Sequence, residues 1–195
     1  MIDKERIEKA ATFIYSKHCK KGSPAKMLSK IISAEKIKLR EIDGNEKFLG
    51  AFIKKMSGKP YIFLNKNIGN VGRKNFTLAH ELGHFVLQHH LHVVSFLCSE
   101  SEISEEDEAN SDQEKEANYF ASCFLLPKGR VVREFKAWFQ YRISRIGKVF
   151  LHVDLHGNSY RNWKAISSNL MKKFNVSEAA LKVRLIELDL IKFHN

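Results

Sequence analysis

Cysteine and proline are scarce in this 195-residue chain, at three each, and no apolar run approaches the length of a membrane span. Cys19, Cys98 and Cys123 are odd in number, widely spaced and without a C-x-x-C pair, which argues against a disulfide framework and against a cysteine-ligated metal. The prolines mark boundaries: Pro24 in the first turn of a helix, Pro60 in a turn, and Pro127 just past a helix end. The opening Met1-Ile2-Asp3-Lys4-Glu5-Arg6 is charged and lacks the apolar stretch of a secretory signal, so the expected compartment is the cytoplasm, with no membrane partner. At 44% hydrophobic and 28% charged, the composition suits a globular protein with a sizeable core.

Acids are also thin outside one stretch. The net charge is +11, yet residues 100–116 hold nine acids and one lysine, leaving +19 for the remainder. A surplus of that size invites a nucleic-acid reading. Lysines outnumber arginines 24 to 9 amid abundant Ile, Asn and Phe, which favours a lysine-rich solvated surface over a dedicated nucleic-acid face.

The periodicity predicts an α+β fold. Asp3 caps a first helix with Ile7, Ala10, Ala11 and Ile14 on one face, and Ser23-Pro24 opens a second helix through about Ser33. Lys36–Ile42, Lys47–Lys54 and Tyr61–Asn65 read as a small three-stranded antiparallel sheet, with Asp43-Gly44 as a hairpin turn between the first two. A helix over about Arg73–His90 follows, then an acidic insertion at about 91–112 and a helix from Asp112 to Leu126. Arg130–Tyr141 is a basic amphipathic helix, read as docked on the core rather than lying on a membrane. Leu151–Tyr160 reads as irregular or a short hairpin, and Trp163–Phe174 with Ser177–Leu188 as a closing helix pair. These elements divide into a domain over 1–127 and a helical region over 128–195 packed on it.

Chemistry concentrates in His80-Glu81-Leu82-Gly83-His84. Residues four apart share a helix face, so His80 and His84 present imidazoles to one metal ion, expected to be a single zinc per chain. Glu81 projects beside the open coordination position, where it takes a proton from the attacking water. Chance produces this pattern in about three such chains per hundred, so a third ligand is needed. His90 has the metzincin spacing, but the glycine that would release the chain from the helix is replaced by Leu87. His89, His90 and His92 read instead as surface histidines at a helix end. The rival is a carboxylate on the next helix, as in gluzincins. Glu114 falls near the apolar face of Ala117, Ala121 and Phe124, whereas Glu116 points about 200° away. Asn118, four residues after Glu114, is placed to support the site.

Arg73-x-x-Phe76-Thr77-Leu78-Ala79-His80-Glu81-Leu82-Gly83-His84, followed by Glu114-x-x-Ala117-Asn118-x-Phe120-Ala121 and Leu125-Leu126-Pro127, resembles the ImmA/IrrE family of bacterial metallopeptidases. The resemblance extends to Tyr61–Asn65 and to Phe174-x-Val176-Ser177-x-x-Ala180-Leu181-x-x-Arg184-Leu185. It implies a zincin-like fold with Glu114 as the third zinc ligand, while the position matching Glu116 varies. It also implies a protein substrate: family members cut a cognate helix-turn-helix repressor or antitoxin-type partner encoded nearby. Gln88 departs from relatives, which often carry another histidine there, and the acidic loop is unusually long.

The expected mechanism has Glu81 pass the proton of the attacking water to the leaving amine. His152, His156 and Tyr160 are candidate oxyanion donors. Tyr61, Phe63 and Asn65 are candidates for a strand that pairs with substrate at the sheet edge. The competing function is a DNA-binding or zinc-sensing regulator without significant proteolysis, since the final helices have helix-turn-helix polarity and carry Lys172, Lys173, Lys182 and Arg184. Residues 100–116 read as a solvated acidic insertion, with screening of the basic cleft as the sharper alternative.

Overall fold

In a computed structural model, residues 1–19, 22–45, 48–53, 58–89, 107–140, 151–154 and 158–194 are described. His90, His92, His156 and the acidic stretch 91–106 lie outside them. Seven helices surround a three-stranded sheet and a two-stranded ribbon among the described residues. Helix α1 (Lys4–His18) is capped by Asp3, whose side chain accepts from the Arg6 N–H at 3.0 Å, and it buries Ile7, Ala11 and Ile14. Helix α2 (Pro24–Ala34) starts at Ser23, but the Ser23 hydroxyl makes no cap; it donates to the Phe174 carbonyl at 3.1 Å. No helix of the described residues is long and apolar enough to cross a membrane.

The sheet comprises β1 (Lys38–Ile42), β2 (Gly50–Ile53) and β3 (Tyr61–Asn65), and it corrects the antiparallel expectation. Its order is β1-β3-β2, with β3 parallel to β1 and antiparallel to β2. Asp43-Gly44 therefore does not close a hairpin between neighbours. Asn65, at the end of β3, clasps the connection instead: its amide nitrogen donates to the carbonyls of Asn45 (2.9 Å) and Phe48 (2.8 Å), and its oxygen accepts from Gly44 (3.3 Å) and Asn67 (2.9 Å).

Helix α3 (Val71–Val86) carries the histidine motif and is capped by Asn70, which accepts from the Arg73 N–H at 2.9 Å. It packs on α4 (Asp107–Leu125), which begins several residues before its expected start at Asp112. Gly83 sits where the two helices press together. A Cβ there would lie 3.0 Å from the Phe120 ring and 3.3 Å from the Ala117 backbone. Ala117 is one turn beyond Glu114, so the separation at Gly83 sets how far Glu114 reaches toward α3. Gly83→Ala is expected to cost about 1–3 kcal/mol by overpacking, read as a lower urea midpoint at unchanged slope.

Helices α5 (Lys128–Gln140), α6 (Asn158–Phe174) and α7 (Glu178–Glu187) complete the helical layer. The ribbon pairs β4 (Leu151–Asp154) in parallel with β5 (Ile191–His194), where a hairpin or irregular chain and a helical ending were expected. Parallel pairing joins segments far apart in sequence, so no turn signal announces it. One apolar cluster runs from Ile7 through Phe52, Leu82, Phe120, Phe135 and Trp163 to Ile191. The α6–α7 corner is fixed to α3 by Asn75, whose amide donates to the Asn175 carbonyl at 2.9 Å.

The corner also bears on the DNA-binding alternative. Arg184 is buried and donates to the Leu126 carbonyl (3.2 Å), Glu8 (3.3 Å) and Glu187 (3.4 Å). Lys182 lies 3.9 Å over the Phe193 ring, and Lys173 pairs with Glu134. Lys173, Lys182 and Arg184 are thus engaged within the protein and Arg184 is buried, while Lys172 is exposed.

Candidate metal centre

Helix α3 is buried along its centre because Leu78, Ala79 and Leu82 join the core, and this carries His80 and His84 inside at 2% and 1% exposure. Their Nε2 atoms face each other at 3.0 Å. From α4, Glu114 closes the third side, with Oε2 3.1 Å from His80 Nε2 and Oε1 3.1 Å from His84 Nε2. The three ligand atoms lie within 4.8 Å of one another and could hold a metal ion.

The outer hydrogen bonds fix the chemical state of the ring nitrogens. His80 Nδ1 lies 3.0 Å from the Asn118 amide oxygen, which only accepts, so His80 Nδ1 carries the proton and Nε2 turns a lone pair inward. His84 Nδ1 meets His89 Nδ1 at 2.9 Å, and His89 Nε2 meets Glu116 Oε2 at 3.0 Å. The carboxylate requires a proton on His89 Nε2, which leaves His89 Nδ1 as an acceptor and His84 Nδ1 as the donor. With both rings neutral, two inward lone pairs and a carboxylate converge on one point. Glu114 Oε1 is buried and makes no hydrogen bond despite its nearness to His84. Two imidazoles and a carboxylate suit a borderline divalent ion such as zinc, so the residues present fit the metal.

Protonation follows from the same crowding. Burial opposes the His80 imidazolium, but Glu114 and Glu81 outweigh it and raise the His80 pKa. Burial likewise opposes ionisation of Glu114, and the two imidazoles overcome it, holding that carboxyl well below the ordinary range. Burial dominates at His84 and lowers its pKa.

Glu81 is fully buried under β2, and neither carboxylate oxygen has a hydrogen-bond partner. A Cβ on Gly50 would lie 2.7 Å from Thr77 Cγ2 and 3.2 Å from Glu81 Oε1, so the glycine permits this close approach. Burial, opposed by the His80 charge and by the nearby Phe52 backbone and helped by the Glu114 charge, pushes the Glu81 pKa up to about 7. An unpartnered carboxylate poised near neutrality beside three converging ligands is the pattern of a base rather than of a structural ion pair.

The other expected site residues are placed elsewhere. Tyr61 and Phe63 stack at 6.1 Å on β3, and Asn65 is the loop clasp described above. Since β3 is central and both its edges are paired, it cannot accept a substrate strand; among the described residues the outer edges belong to β1 and β2. His152 Nδ1 lies 2.9 Å from His194 Nε2 on the ribbon, and the Tyr160 ring lies under Lys164 at 5.4 Å. His156 lies outside the described residues.

His89 is the residue that periodicity misplaced. It is buried, not a surface histidine. Helix α3 ends in a Schellman turn: Gln88 adopts φ 58°, its N–H bonds to the Phe85 carbonyl (3.2 Å), and the His89 N–H bonds to the His84 carbonyl (3.0 Å). That reversal lays His89 against His84. Glycine or asparagine at position 88 would have announced the turn; glutamine did not.

Residues 34–186 match the family described as IrrE N-terminal-like domain, Peptidase_M78. No curated protein matches the chain. The matched span covers the sheet, both ligand-bearing helices and the α6–α7 corner, and on that evidence the chain belongs to the ImmA/IrrE family of metallopeptidases.

Proposed function

We propose that the protein is a cytoplasmic zinc-dependent endopeptidase that cleaves a helix-turn-helix repressor or antitoxin-type partner encoded nearby. The observation that carries this reading is Glu81, a buried carboxylate without partners, set beside the converging His80, His84 and Glu114. His80, His84 and Glu114 would hold the zinc, which would supply Lewis-acid chemistry to the reaction. Glu81 accepts the proton of the attacking water and returns it to the leaving amine as the peptide bond breaks. Asn118 keeps His80 in the tautomer that points Nε2 inward. The β2 edge lies over Glu81 through Gly50 and Phe52, and an extended peptide is proposed to pair along it, with its scissile bond above the helix.

Zinc-loaded protein incubated with the repressor-type proteins encoded beside its gene tests the proposal. Mass spectrometry should find two fragments of one of them. A chelator should stop cleavage, and stoichiometric zinc should restore it. Intact substrates after prolonged incubation with fully loaded enzyme would count against proteolysis.

A further inference from the structure

The histidines of the cluster are supported unequally. His80 is held by one neutral amide from α4. His84 is held by a series of side chains that crosses three elements: His84 Nδ1 to His89 Nδ1 at 2.9 Å, His89 Nε2 to Glu116 Oε2 at 3.0 Å, and Arg6 Nη2 to that same Glu116 oxygen at 2.7 Å. His89 is buried, Glu116 is mostly buried, and Arg6 is half exposed on the first turn of α1. We propose that His89, Glu116 and Arg6 form a charged positioning relay that fixes the tautomer and ring angle of His84 for the metal; this rests on the metal-site reading above.

Each bond in the series has one consistent direction. Arg6 donates to Glu116, His89 donates to Glu116, and His84 donates to His89. The Glu116 carboxylate thereby polarises His89, which makes its Nδ1 a better acceptor and the His84 Nε2 lone pair a better donor to a cation. The arrangement resembles the carboxylate–histidine support that metal sites commonly use, extended by one imidazole. It also gives α1 a part in the site, although the matched family segment begins only at residue 34. Gln88 supports the relay through its backbone, because the left-handed turn there brings His89 back onto His84.

A mere packing role for these residues predicts changes in stability alone. The relay predicts changes in metal binding and in tautomer. His89→Phe keeps the volume and removes the acceptor; Arg6→Ala alters only the half-exposed end of the series, and Arg6→Lys keeps its charge. Cobalt affinity, measured by competition on the full chain, is expected to fall about 10–100-fold in His89→Phe. The loss should be smaller in Arg6→Ala and partly recovered in Arg6→Lys. Long-range nitrogen NMR of the metal-free protein should show His84 as the Nδ1–H form in the wild type and as a mixture in His89→Phe. Wild-type cobalt affinity and an unchanged His84 tautomer in both His89→Phe and Arg6→Ala would overturn the relay while leaving the metal site standing. Failure of the wild type to bind cobalt or zinc stoichiometrically would instead remove the metal-site reading, and the relay with it.

Discussion

Glu81→Gln is expected to lower the rate of peptide cleavage by about 10²–10⁴-fold while metal content stays at the wild-type level. Glutamine fills the same volume under Gly50 and lies outside the ligand set, so binding survives and only the proton acceptor is lost. A variant that cleaves at the native rate would sink the assignment. The same substitution has a second, opposite effect on the metal-free fold. Glu81 has an ordinary pKa of 4.5 and a folded value of about 7, raised foremost by burial. Its folded pKa lies above the unfolded one, so the unfolded state releases its proton first. The favourable state is complete below about pH 4.5, erodes as pH rises, and is lost above about 7. Glutamine carries no such charge. Metal-free Glu81→Gln should therefore exceed metal-free wild type in stability near pH 8 by on the order of 3 kcal/mol, with the gap closing toward pH 5. Equal urea midpoints at pH 8 would show that Glu81 is not buried as an unpartnered carboxylate. The expected gap would instead place the proposed proton acceptor among the residues least favourable to folding.

Glu114→Ala is expected to abolish stoichiometric zinc binding, weakening it by more than about 100-fold, beyond the range of residues that only support ligands. It removes one of three inward donors and leaves His80 and His84 Nε2 facing each other across 3.0 Å. Native mass spectrometry should find one zinc per wild-type chain and none in the variant. Glu116→Ala is the informative comparison, expected to weaken zinc by no more than about 10–100-fold, because that carboxylate touches His89 and Arg6 rather than the converging atoms. Zinc retained by Glu114→Ala but lost from Glu116→Ala would exchange the two roles.

Much of this site was readable from residue spacing. Four-residue spacing put His80 and His84 on one face, and the apolar positions Ala117, Ala121 and Phe124 turned Glu114 inward while Glu116 faced away. What Glu116 faces could not be read, because His89 reaches it only through a left-handed Gln88 that local preference disfavours. The strands were found but not their order. Alternation of side chains reports which face is buried and says nothing about which strand lies beside which. The order β1-β3-β2 is accompanied by the long-range bonds of Asn65, and an asparagine at a strand end carries no signature of such contacts. The β4–β5 ribbon was missed for a related reason, since each partner is four residues long and finds its mate about forty residues away.

Helix α1 separates the unit of inheritance from the unit of folding. Its apolar face of Ile7, Ala11 and Ile14 lies in the common core, Arg6 ends on Glu116, and Glu8 meets the buried Arg184 of α7. A fragment trimmed to residues 34–186 would keep every family motif and lose this helix. Arg184 would keep the Leu126 carbonyl but forfeit both of its carboxylates, Glu8 and Glu187, and leaving a buried cation uncompensated costs several kcal/mol. The recognisable peptidase segment is thus shorter than the piece of chain that can hold it in shape.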